Sequence, residues 1–76
     1  AAVQRDAGAA LYRLGDLDGA RAAFSLATRL EPENVESLVG LAEVELRRGD
    51  AAAARAARDR ALELDPYNPA ALAMPR

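Results

Sequence analysis

This sequence predicts an all-α fold, two antiparallel helix-turn-helix units in tandem followed by the start of a third. Three observations lead there. The chain repeats itself at an offset of 34 residues, with 12 identities in the 42 pairs that 76 residues allow. The turn residues fall in phase, as Gly15/Gly49, Asp16/Asp50, Pro32/Pro66 and Asn34/Asn68. Alanine is common enough here to match itself by chance, but these four types in register are not. A fixed period of this size marks a stacked repeat architecture. The third observation is composition: 51% hydrophobic but only 4% aromatic, with 20 Ala, 11 Leu and no Ile, a helix-forming mixture.

Each element follows from local chemistry. Residues 1–14 read as a first helix, with Ala7, Leu11 and Leu14 at spacings of four and three and Gly8 beside them. Gly15 can close that helix in the left-handed conformation. Asp16, with Asp18 as competitor, offers an oxygen to the free amides of the next helix. The second helix is expected to run to Leu30, with Ala20, Ala23, Phe24, Ala27 and Leu30 on one face. Pro32 stops it, because proline cannot continue the amide ladder and pushes Glu31 out of helical geometry. Asn34 caps a third helix reaching Arg48, with Leu38, Leu41 and Ala42 as its buried stripe. Gly49 and Asp50 repeat the stop-and-start device, a fourth helix covers about 52–64, and Pro66 ends it. Asn68-Pro69 is an N-cap followed by proline at the first helical position. The fifth helix that begins there breaks off at Met74-Pro75-Arg76.

The short connections force sequential helices to lie antiparallel. Small residues then set how closely they approach. Gly8 with Ala20, and Ala42 with Ala54, are expected where two backbones cross.

Charge and composition exclude several functions. The net charge is −2, and ten Arg, with no Lys, are interleaved with 12 acids. The all-Arg usage reads first as codon bias. No basic stripe forms, so the electrostatic footprint of a nucleic-acid binder is missing. No apolar run approaches the roughly 20 residues of a transmembrane helix, so membrane insertion is not expected. The absence of Cys rules out disulfides and thiolate metal sites but leaves the compartment, and hence localisation, undetermined.

Catalysis has little to work with. There is no His, Cys or Lys, and Ser25, Thr28 and Ser37 lack a base. Asp16, Asp18 and Asp50 are explained as helix caps, not as a calcium loop, which would need its glycine and terminal glutamate. Gly15 and Gly19 follow no strand, so they make no phosphate loop. Neither a cofactor nor a metal is expected, and the chain is not expected to be an enzyme. Arg48-Gly49-Asp50 spells an integrin-type tripeptide. The internal repeat accounts for it as a last-turn Arg, a terminating Gly and a capping Asp.

Gly8, Ala20, Phe24, Ala27 and Pro32 with the Gly15-Asp16 turn, echoed by Leu38, Leu41, Ala42, Gly49, Asp50, Ala54, Ala61 and Pro66, resemble the tetratricopeptide repeat. The resemblance covers repeats at 1–34 and 35–68, with 69–76 as the opening of a third or a capping helix, all in one domain of residues 1–76. It implies a right-handed α-solenoid segment that serves as a scaffold or adaptor. Some positions depart from the family pattern. Gln4 stands where a large apolar group is usual. Glu45 and Arg58 stand where the family prefers aromatics that lie close together. They are expected either to pair with each other or to face water.

The resemblance also implies a concave groove lined by the first helix of each pair. Its residues here would be Ala2, Arg5, Ala9, Tyr12 and Arg13, then Glu36, Val39, Glu43, Leu46 and Arg47, and finally Ala70 and Ala73. Tyr12, Val39 and Leu46 would form an apolar floor, with Arg5, Arg13 and Arg47 set against Glu36 and Glu43. Exposed apolar residues among charges suit a peptide or helix of a partner protein. The carboxylate clamp of chaperone-binding members is absent. Arg5 could supply one basic member, but Ala9, Gly40, Ala70 and Met74 occupy the other matching positions. About three repeats are usually needed for stability. Two and a fraction therefore point to an excerpt of a longer solenoid, or to a homo-oligomer that pairs through its open ends. The outer flank of the fourth helix, with Arg55, Arg58, Asp59 and Arg60, is expected to act partly as a polar cap, leaving Ala57, Ala61 and Leu62 as apolar surface.

Overall fold

The computed structural model describes residues 2–74. Among them five helices follow in order: α1 (Ala2–Leu14), α2 (Leu17–Leu30), α3 (Val35–Arg48), α4 (Ala51–Leu64) and α5 (Pro69–Ala73). No strand occurs among the described residues. The expected stop at Pro75-Arg76 lies outside them, although Met74 has already turned to extended backbone at φ −72°, ψ 147°.

Four of the helices begin with one device. Asp16, Asn34, Asp50 and Asn68 accept from the backbone N–H groups of Gly19, Ser37, Ala53 and Ala71 at 2.9, 3.1, 3.0 and 3.0 Å. Each cap satisfies an amide the helix cannot pair itself, worth about 1 kcal/mol. The two glycine turns are equally alike. Gly15 and Gly49 both sit at φ +86°. Their N–H groups donate to Tyr12 and Leu46 carbonyls, and those of Asp16 and Asp50 reach back to Leu11 and Glu45 at 2.9 Å. This is a Schellman closure. One aspartate thus finishes one helix with its backbone and starts the next with its side chain. Pro32 and Pro66 act as expected: Glu31 and Asp65 leave the helix at φ −133° and −140°.

Each helix packs on its neighbour in sequence, and α1 also touches α3. Ala20, Phe24 and Val44 form one buried cluster. Leu38, Ala42, Ala57 and Ala61, with Ala71 and Met74 from the end of the chain, belong to a second. Leu41 packs against both.

Gly8 and Ala20 are both buried where α1 packs on α2, and Phe24, one turn on from Ala20, is the nearest neighbour of Gly8. A Cβ added at Gly8 would first meet the Phe24 ring, at 2.9 Å, and one at Gly40 would run into the other side of that ring. The only phenylalanine of the chain is wedged between α1 and α3, and two glycines make the slot.

Several expected surfaces are corrected by this packing. On α1, Gly8 is buried and Leu11 half-buried, but Ala7 is exposed and Leu14 is 81% exposed. The helix meets its neighbours on one side, and the face carrying Ala7 and Leu14 has none. Leu30, expected on the inner face of α2, is 54% exposed. On α3, Val39, Val44 and Glu45 are buried beside the expected Leu38 and Ala42, because α1, α2 and α4 all touch this helix. On α4, Arg58 and Ala57 are buried and Ala61 is fully so, covered rather than forming an outer flank.

Glu45 and Arg58 neither pair nor face water. Glu45 is 4% exposed and bonds Arg48 at 2.8 Å and Arg21 of α2 at 3.3 Å. Arg58, 8% exposed, donates from Nε to the Ala71 carbonyl and from Nη1 to Asp59. Both stand at positions the neighbouring helices enclose, so each found partners on the helix beside it.

Candidate functional site

The first helices of the two hairpins, α1 and α3, lie side by side, and the onset of α5 closes one end. Between them is an open pocket of about 410 Å³. Arg5 and Ala9 of α1 line it with Glu36, Val39 and Glu43 of α3. A smaller one of about 210 Å³ lies beside it, walled by Tyr12, Glu43, Leu46 and Arg47. Glu43 borders both, so the two form one continuous trough along α3.

Eight of the nine residues expected at the core of the groove border one pocket or the other, and Ala70 joins them. Arg13 borders neither and is exposed, as are Ala2 and Ala73. Asp6, Phe24, Gly40 and Asn68 line the larger pocket without having been expected there. The missing side chain at Gly40 lets the Phe24 ring reach the floor, and Asn68 arrives because it caps α5. A glycine inside a helix was the available signal for that opening.

The electrostatics differ from a simple opposition of basic and acidic walls. Arg5 Nη1 bonds Glu36 Oε2 at 3.0 Å across the groove, with Asp6 3.8 Å from its Nε. The Arg47 guanidinium lies over the Tyr12 ring, 5.3 Å from its centre, a cation–π contact. Two of the three expected cations are therefore already occupied. Neither Glu43 nor Arg47 makes an ion pair among the described residues, so the trough carries one unpaired carboxylate and one guanidinium held only by a ring. Val39 is only 9% exposed, so the apolar floor is narrower than expected.

On the far side, Arg48 is tied to Glu45 and to Asp18 at 3.1 Å. These bonds, the one to Glu45 foremost, raise its guanidinium above the ordinary arginine range. Asp50 is engaged as a cap. Both charged ends of the Arg-Gly-Asp tripeptide are thus used inside the fold. Among the described residues no group of three or more acids is placed to hold a metal ion. No helix there is long and apolar enough to cross a membrane.

A family model of the tetratricopeptide repeat matches residues 5–69. The chain belongs to the tetratricopeptide repeat family. It is also similar to Protein CTR9 homolog of Arabidopsis thaliana, 45% identical over 51 residues. That match spans 67% of this chain and 5% of the plant protein. Tetratricopeptide repeats are non-catalytic units that generally mediate protein–protein interaction. The in-phase caps, glycine turns and proline stops are the features this chain brings to that architecture.

Proposed function

We propose that this chain is a non-catalytic interaction module that holds a peptide or helical segment of a partner protein in the trough between α1 and α3. Its repeat units run 1–34 and 35–68, with 69–76 opening a third. The observation that carries the reading is the trough itself, an apolar strip of Ala9, Val39 and Leu46 rimmed by Arg5, Glu36 and Glu43. Apolar contact supplies affinity there, and the charged rim selects orientation. Acids alternate with arginines over the surface, so the partner is a protein and not a nucleic acid. The chain has no nucleophile–base pair, and no cofactor is needed.

Peptides selected from a random displayed library against the 76-residue chain test the reading. Glu43→Arg, at a carboxylate without an intramolecular pair, and Leu46→Arg should each weaken the selected peptides at least tenfold while the helical signal is retained. Peptides that bind both variants undiminished sink the groove.

A second reading, self-association through the C-terminal flank, rests on the 51% exposure of Leu72 in α5 and on half-buried Leu62 in α4. Sedimentation over a wide concentration range separates the two. A dissociating dimer that Leu72→Glu abolishes, and Leu46→Arg spares, favours self-association.

A further inference from the structure

The two pockets of the trough differ in charge. Of the described residues lining the larger one, three carry carboxylates, Asp6, Glu36 and Glu43, and one a guanidinium, Arg5. Arg5 is already engaged, by Glu36 at 3.0 Å and with Asp6 3.8 Å from its Nε. Asn68, at the α5 end, donates its side-chain amide to Asp65. A partner anion entering here would therefore find every side-chain donor in use. A cation would find Glu43 unpaired, with Glu36 and Asp6 still 75% and 77% exposed at their side chains. The floor has its own chemistry. Glu36, Gly40 and Glu43 are spaced four and three apart, so they share one face of α3 with the glycine between the two acids. The Phe24 ring takes up the space that a side chain at Gly40 would need. Between the carboxylates the surface is thus aromatic carbon, continued by Val39 and Ala9.

We infer that this pocket receives a basic side chain, lysine or arginine, of the partner segment, an assignment that rests on the groove reading above. The alkyl stem lies on Phe24, Val39 and Ala9, and the charged head reaches the Glu43 carboxylate. A long apolar stem ending in a cation matches an apolar floor with acids at its rim. The alternatives fit worse. A purely apolar side chain would cover the floor and take water from Glu43 without giving it a partner. An aspartate or glutamate would enter among three carboxylates. The head of the basic residue gains a charge-assisted hydrogen bond, the stronger kind. The register is fixed as well. Arg47, one turn beyond Glu43, lies over the Tyr12 ring in the smaller pocket and would repel a cation placed there. The sign is opposite to that of the clamp by which chaperone-binding members of the family hold a carboxylate.

The test takes peptides selected from a random displayed library on the 76-residue chain and maps each by NMR. Those that shift the amides of Ala9, Val39 and Leu46 occupy the trough, and they should share a lysine or arginine. Replacing that residue by norleucine, which keeps a stem and loses the charge, should weaken binding about tenfold or more. On Glu43→Gln, with the helical signal retained, the same replacement should cost less than about threefold, because the cation has lost its partner. Reselecting the library on Glu43→Arg should exchange the basic residue for aspartate or glutamate. Trough binders that carry no basic residue, that tolerate norleucine, or that lose as much to it on Glu43→Gln as on the parent overturn the inference and leave the groove reading standing. Binders that shift none of these amides, or a library that yields no binder, overturn both. Concentration-dependent shifts confined to residues 36–43 in the peptide-free chain would assign the pocket to a second copy and overturn the inference too.

Discussion

Arg58 of α4 donates from Nε to the carbonyl oxygen of Ala71 in α5 over 3.1 Å, with the residue as a whole 8% exposed. It stands in phase with Phe24, which fills the slot between α1 and α3. The same address in the period thus carries an aromatic wedge in one copy and a charged clasp in the next. The clasp is available because the Ala71 carbonyl lies at the end of short α5, where it accepts only a long bond, 3.3 Å, from the Met74 N–H and keeps a lone pair for the guanidinium.

Removing the clasp should free the end of the chain. For Arg58→Met, which keeps length and loses the donor, we expect a loss of about 1.5–3 kcal/mol, the range for hydrogen bonds to charged groups. Amide exchange at Ala71, Leu72 and Met74 should accelerate, while that of α1 to α3 follows global stability. Unchanged exchange in α5 would show that the Asn68 cap and the burial of Ala71 and Met74 hold it alone.

Glu45 should respond to what replaces it. Glu45→Ala removes a buried carboxylate that joins Arg48 to Arg21 of α2, and should cost about 1–3 kcal/mol. Glu45→Leu, the residue in phase at Leu11, should fall within about 1 kcal/mol of the parent, since leucine refills the buried site and the released Arg21 and Arg48, 51% and 30% exposed, can turn to water. Chemical denaturation checks the order. The Glu45→Ala and Arg58→Ala effects should also be additive, because each group bonds other partners.

The Phe24 slot makes an asymmetric prediction about two glycines. Alanine gains about 1 kcal/mol in helix propensity over glycine. Overpacking costs about 1–3 kcal/mol. At Gly40 the new methyl would collide with the ring more severely than at Gly8, so Gly40→Ala should be the more destabilising. Phe24→Leu should be partly compensated by Gly40→Ala, which a double-mutant cycle in thermal melts would detect.

At Gly49 nothing lies within 4 Å of where a Cβ would stand, so only the backbone resists substitution. Gly49→Ala should cost about 1–2 kcal/mol through the left-handed conformation. Gly15→Ala should cost a similar amount, since both glycines sit at φ +86°. Unequal losses in thermal melts would mean that one turn is held by more than its glycine.

Amino-acid order by itself determined where each helix starts and stops, the antiparallel succession and the family. These depend on local chemistry: a capping oxygen three residues from an amide, a glycine at positive φ, a proline without an N–H. Most of the residues that the family resemblance placed on the inner side of α1 and α3 border the two pockets, because in-phase positions on the two helices share one orientation. The tertiary structure decided which apolar rows were covered and what the buried charges bonded. Leu14 and Leu41 both belong to helical apolar stripes, yet one meets solvent and the other joins two clusters, because α1 lacks the neighbour that α2 provides for α3. Glu45 found Arg21 of α2, and Arg58 found a carbonyl of α5, through distances that no spacing within one helix encodes. Burial is a property of what lies across from a residue, and that is settled only when the helices are assembled.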